Sequence, residues 1–223
     1  FASSRPIDAV VGVDDLTTVT AAAISQRLGL KATPLPAVTT ARDKHAMRRC
    51  LAEAGVPVPR FQLVELSDDP APAAQKVGYP CVLKPLMLSA SRGVIRANDP
   101  REFVAAFGRT GGILAEPDAA PPDRERRALL VEEFVPGREI ALEGLLVGGS
   151  LHVLAIFDKP DPLDGPFFEE TIYVTPSRLP APTQARVAAV ARDACSALGL
   201  TEGPIHAELR VNERGPFVLV VAA

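Results

Sequence analysis

A mixed fold of alternating strands and helices is what this sequence predicts, and three observations predict it. Short apolar runs ending in acids or proline alternate with helix-period stretches closed by glycine. Two runs in the second half, EIALEGLLV and LHVLAIFD, face each other across Gly148-Gly149 like a hairpin. The 223 residues, 47% hydrophobic and 23% charged, are enough to bury a real core in one large or two small domains.

Taken in order, residues 7–15 (IDAVVGVDD) read as a strand ending in acids, with Asp15 placed to cap the helix that follows and Gly29 placed to stop it. This βα unit has no companions and reads as the tail of a preceding α/β domain. Residues 32–40 carry two prolines and read as a linker. A helix is expected from about Asp43, with Ala46, Met47, Cys50, Leu51 and Ala54 on one face and Gly55 as its end. FQLVEL and CVLKP read as strands around a helix near Ala73 to Val77, GVIRA as a further strand, and Asp99-Pro100 as a helix start. Residues 115–127 are a polar, proline-bearing excursion. Beyond the hairpin come a long loop (158–171), a strand IYVTP, a helix capped by Thr183 and stopped by Gly199, and two closing strands, HAELRV and FVLVVA.

Composition excludes several roles. A net charge of −3 offers no basic field for nucleic acid or an anionic membrane surface. No apolar run approaches the ~18 residues of a membrane span. Cys50, Cys81 and Cys195 are scattered in apolar or helical patterns, which reads as reduced thiols in a cytoplasmic setting. Phe1 stands where a methionine would, so the chain reads as a piece of something longer.

The chemistry-bearing residues begin with two lysines. Arginine is the habitual cation here, and Lys31, Lys44, Lys76, Lys84 and Lys159 are the exceptions. A compact ammonium suits a point-charge phosphate contact. Lys44 lies near a helix start and reads either as such a contact or as a solvated helix residue. Lys84 ends the apolar strand CVL and is held by Pro85, a position that asks for a partner to the amine. LSASRGV (88–94) offers Ser89, Ser91 and a flexible Gly93 for covering phosphates, or an ordinary turn. VEEFVPGRE (131–139) ends a strand in acids: Phe134 and Val135 suit a planar base, and Glu139, past Pro136-Gly137, suits two sugar hydroxyls or a solvated surface. His206 reads as a buried strand histidine, or else as a ligand or a substrate contact, and period two puts Glu208 and Arg210 on its face.

In this order and spacing the motifs resemble the ATP-grasp superfamily of carboxylate–amine ligases, which includes L-amino acid ligases, biotin carboxylase and D-alanine–D-alanine ligase. The resemblance covers about Ala41 to the end. It implies an α+β, ATP-grasp fold, two α+β subdomains with ATP between them, preceded by a remnant of a Rossmann-like domain. The expected divisions are 1–40 (remnant and linker), 41–135 (first subdomain) and 136–223 (second subdomain, cut short). It implies Lys44 and Lys84 as phosphate contacts, residues 88–94 as the flap with Ser89, Ser91 and Gly93, and Glu132, Phe134, Val135 and Glu139 as the base-and-ribose hinge. It also implies Glu208 as a magnesium ligand, Arg210 beside an acyl phosphate, and Lys159, in a loop with Asp158 and Glu170, as a phosphate contact. The implied cofactors are ATP and Mg2+. The implied partners are a small-molecule carboxylate and amine, with a homodimer among the expected assemblies.

One departure stands out. The family's second metal acid falls twelve residues after the first, with an asparagine often two further on; here those positions are Val220 and Ala222. Neither side chain can ligate a hard cation. Two functions follow: ATP-driven activation of a carboxylate as an acyl phosphate, or nucleotide binding without catalysis.

Overall fold

The computed structural model describes residue 2 and residues 4–116, 127–168 and 171–223. Most of the excursion expected at 115–127, and Glu170 with it, lies outside the described residues. The fold is a mixed one with two four-stranded antiparallel sheets.

The first sheet contains β1 (Phe61–Glu65), β2 (Cys81–Pro85), β3 (Ile95–Ala97) and β4 (Ala128–Glu133), in the order β1-β4-β2-β3. Its core packs Leu83, Ile95, Leu129 and Val131 against Phe103 and Phe107 of helix α5 (Pro100–Leu114). That helix starts where expected: Pro100 opens it, and the Asp99 carboxylate accepts from the Glu102 amide at 2.9 Å. The second sheet holds β5 (Arg138–Val147), β6 (Ser150–Asp158), β7 (Gly203–Asn212) and β8 (Gly215–Ala222), in the order β6-β5-β7-β8. Val147 pairs with Ser150 around Gly148 and Gly149, both left-handed, so the hairpin is a two-residue turn.

The second core is built by α6 (Ala181–Leu198) and by two helices from early in the chain, α2 (Leu35–Arg42) and α3 (Lys44–Glu53). Met47 and Leu51 of α3 are fully buried there with Ile140, Leu142, Val187, Ala191, Leu209 and Val218. Asp43 fixes the start of α3 by accepting from the amides of His45 and Ala46, and the Lys44 amide donates to the Leu86 carbonyl at 3.1 Å. These bonds set Lys44 beside the chain that leaves β2.

Several expectations are corrected. Residues 7–13 form no strand; α1 (Thr18–Leu28) follows without one, and Asp15 does not cap it. Thr17 is the first flanking residue, and the Asp14 carboxylate bonds to Thr17 instead. With no neighbouring strand to complete a ladder, an apolar run has nothing to pair with. Of the βα unit expected at the start, only the helix is present among the described residues, stopped as expected by a left-handed Gly29. Residues 32–40 are not an extended linker: Pro34 precedes α2 and Pro36 sits in its first turn, where a missing amide hydrogen costs nothing. The short α4 (Pro70–Ala73) ends where the helix expected near Ala73 to Val77 was to begin. IYVTP makes an isolated bridge, Val174 with Asp158, and Pro180 rather than Thr183 precedes α6.

Candidate functional site

Between the two sheets lies a cavity of about 340 Å³. Lys44, Lys84, Ser89 and Ser91 line it from one side, and Phe134, Val135, Glu139, Glu208 and Arg210 from the hinge and the second sheet. The two lysines, forty residues apart and carried by a helix start and a strand end, thus face one space. Gly93, Glu132 and Lys159 lie outside this lining.

Lys84 is held from behind. Its ammonium is 2.7 Å from Glu132 Oε2, and Glu132 Oε1 accepts from Arg48 Nε at 2.5 Å. Arg48, fully buried on α3, also donates to the carbonyls of Val218 (2.6 Å) and Leu219 (2.7 Å) in β8. Burial pushes the Glu132 carboxyl upward, but Arg48 and Lys84 together outweigh it and hold the group below the usual carboxylate range. Glu132, expected among nucleotide contacts, has its carboxylate directed at Lys84 and Arg48. The Lys44 ammonium donates to the Leu88 carbonyl at 2.6 Å. Burial pushes it down to about 8, with the cations Lys84 and Arg42 adding to the shift.

The flap turns sharply over these amines. Ala90 and Ser91 have φ of 53° and 54°, uncommon for residues with side chains, and Ser89 Oγ donates to Asp15 at 2.5 Å. At Gly93 (φ +75°) an added Cβ would stand 2.8 Å from Pro85 Cγ, so the loop closes tightly on the end of β2.

The opposite wall is a chain of ion pairs. Glu139 accepts from Lys159 (3.0 Å) and Arg210 (2.9 Å), and Lys159 also bonds Glu208 at 2.9 Å. Arg210 donates further to the carbonyls of Val135 (3.0 Å) and Leu163, and lies over the Phe134 ring at 4.8 Å. Arg96 covers the same ring at 3.9 Å, a pair of cation–π contacts that fixes its plane. His206 bridges Glu143 (2.6 Å) and Glu208 (3.5 Å); the bond to Glu208 and then that to Glu143 push it up to about 9 against its burial.

Glu208 pairs directly with Val220 across β7 and β8, and His206 with Ala222. The register therefore puts apolar side chains where a second carboxylate would meet Glu208. A magnesium ion takes one or two carboxylates besides waters and substrate phosphates, and here Glu208 is already paired with Lys159 while its cross-strand neighbour is Val220. Among the described residues no three His, Cys, Asp or Glu side chains are grouped to hold a metal. The donor set does not fit the ion.

Arg48, Asp15 and Glu143 were missed from the sequence. Arg48 had a usable signal, since it lies four residues after Lys44 on the same helix face. Asp15 and Glu143 are brought in by tertiary packing and had none.

Comparison with known proteins follows the same lines. The ATP-grasp domain matches residues 77–223. The chain is 28% identical over 229 residues to the alanine–anticapsin ligase of Bacillus subtilis (strain 168), covering 97% of this chain and 48% of that protein. It is 27% identical to a D-alanine–D-alanine ligase of Ralstonia pickettii (strain 12J), over 80% of this chain and 53% of that one. An L-amino acid ligase from Bacillus licheniformis superposes with a TM-score of 0.80 at 29% identity, covering 100% of this chain and 50% of that one. The chain spans about half the length of the curated relatives it matches. By the match over residues 77–223 and the two-sheet fold that carries it, the chain belongs to the ATP-grasp domain family.

Proposed function

We propose that this chain is the nucleotide cleft of an ATP-dependent carboxylate–amine ligase. The observation that carries the reading is the meeting of Lys44 and Lys84 with Glu139, Glu208 and Arg210 around one cavity. The two ammonium groups neutralise the phosphates from one side. Phe134, held flat by Arg96, and the backbone of Val135 receive the base. Glu139 accepts from the ribose hydroxyls, its carboxylate aimed by Lys159 and Arg210. Ser89 and Ser91 cover the phosphates.

In the reaction of the whole protein, a substrate carboxylate oxygen takes the terminal phosphoryl group of ATP, releasing ADP and leaving an acyl phosphate. The amine nitrogen then attacks the acyl carbon; its proton departs, phosphate leaves and an amide forms. Lys84 stabilises the charge that gathers on the transferring phosphoryl group. Arg210 is the cation that lines the far wall and would steady the acyl phosphate, and Lys159 balances Glu139 and Glu208 behind it.

Val220 opposite Glu208 favours a second reading, nucleotide binding without turnover, because phosphoryl transfer leans on metal charge. ADP release with a panel of carboxylates and amines separates the two, since turnover excludes the inert reading.

The test of the cleft itself is calorimetric titration of Lys84→Ala with ATP, its fold checked by circular dichroism. Removing one charge-assisted contact costs about 1.5–3 kcal/mol, or roughly 10- to 100-fold in affinity. Unchanged affinity in a folded variant would sink the assignment.

A further inference from the structure

The acids that line the cavity are all engaged by cations or hydroxyls of the protein. Asp15 accepts from Ser89 at 2.5 Å, and Glu139 is shared between Lys159 and Arg210. Glu208 bonds Lys159 at 2.9 Å. Lys159 itself is almost wholly buried, with its side chain 3% exposed. Across from Glu208 stands Val220, whose isopropyl group supplies no lone pair.

A divalent ion entering at Glu208 would find that carboxylate already in an ion pair with Lys159, which Glu139 shares. It would have to displace the Lys159 ammonium or sit beside it, and a buried ammonium next to a dication is strongly repelled. The second acid needed to offset that repulsion is absent at 220 and 222. The phosphate side has the opposite balance. Lys44, Lys84 and Arg42 line the cavity there with Asp15 as the acid beside them, and Glu132, shared with Arg48, backs Lys84 from outside the lining. A triphosphate that keeps all its negative charge complements that wall better than one already half neutralised by a metal.

We propose that the cleft binds ATP as the metal-free polyanion, with the Lys159 ammonium on Glu208 standing in for a divalent cation. The inference rests on the nucleotide reading above and adds what kind of nucleotide the site selects. Lys159 thereby acquires a definite role, in which its fixed positive charge replaces an exchangeable one. Magnesium competes for the triphosphate in solution and lowers the concentration of the form that binds.

The test is isothermal titration of the 223-residue chain with ATP, once in EDTA and once in excess magnesium chloride. The expected result is an affinity in EDTA equal to or tighter than that in magnesium, within about threefold. An affinity at least about tenfold weaker in EDTA overturns the proposal. Binding in neither condition overturns the nucleotide reading itself, so the two failures are distinguishable. Two variants sharpen the result. Val220→Glu sets a carboxylate beside Glu208, and its preference should reverse to about tenfold tighter binding in magnesium. Lys159→Met should lose about tenfold in EDTA and recover it when magnesium is added, the ion taking the place that the lysine vacates. A Lys159→Met variant that binds equally in both conditions, and as tightly as the unmodified chain, counts against the stand-in role.

Discussion

Lys44 shows how one residue's environment becomes a measurable property of the site. Its ammonium is partly buried and bonded to the Leu88 carbonyl. It is faced by Lys84 from β2 and Arg42 from α2, with Asp15 and Glu132 opposing them, and the balance pushes it down to about 8. Only the protonated amine attracts phosphate. In the free protein that form is lost as pH rises through about 8, so ATP binding should weaken there by up to tenfold per unit and be accompanied by proton uptake. The sign for stability is the reverse. A lysine whose pKa is lowered on folding carries its penalty while it is charged in both states, so the ligand-free protein gains stability from about 8 toward 10.5. Titrations between pH 7 and 9.5, in buffers of different ionisation enthalpy, measure the proton uptake. Lys44→Arg keeps its charge throughout this range and should flatten the profile. Equal slopes for the two proteins would refute the role of Lys44.

At the scale of elements, the hinge between β4 and β5 depends on Gly137. Its φ is +126°, and an added Cβ would stand 2.3 Å from the Val211 carbonyl oxygen and 2.9 Å from its carbon. Both are backbone atoms of β7 and have no rotamer to give. Gly137→Ala should therefore cost roughly 1–3 kcal/mol of strain and clash and move Glu139, two residues on, out of the reach of Lys159 and Arg210. Thermal unfolding should show a lowered midpoint, and ATP affinity should fall with it; a variant unchanged in both would mean that the hinge adapts freely. This hinge was legible in the sequence because Pro136-Gly137 is a local signal. So were the Asp43 and Asp99 caps and the left-handed Gly29 and Gly199. What local chemistry did not carry was misread. Residues 7–13 have strand composition but no partner strand, and α2 was hidden by prolines that stand at a helix start rather than inside one. In the site, Lys44 and Lys84 stood out by residue type and position and Glu208 by the family resemblance, and all three line the cavity. The engagement of Glu132 with Arg48 was not, because the two residues are eighty-four positions apart and meet only on packing.

Over the whole molecule, Arg48 is the side chain that joins the two sheets behind the cleft. One end of its guanidinium holds Glu132 of the first sheet, and the other end satisfies two carbonyls of β8 in the second. It is fully buried, so no water replaces these bonds when it is removed. Arg48→Met should destabilise the protein by about 3–5 kcal/mol, since it leaves Glu132 with Lys84 as its remaining counter-ion. Glu132 is held below its ordinary value of 4.5, so its contribution is present above that pH and is lost as pH falls. The stability gap between the unmodified chain and Arg48→Met should therefore narrow in acid. Arg48→Met/Glu132→Leu removes the pair but leaves the Lys84 ammonium without its carboxylate and two β8 carbonyls without a donor, so it should recover only part of the loss. It should not recover ATP affinity, since Lys84 then lacks the carboxylate that aims it into the cavity. Denaturant unfolding between pH 3.5 and 7, with ATP titration at pH 7, reads all three effects. An Arg48→Met protein within about 0.5 kcal/mol of the unmodified chain would show that the sheets are held together without this bridge.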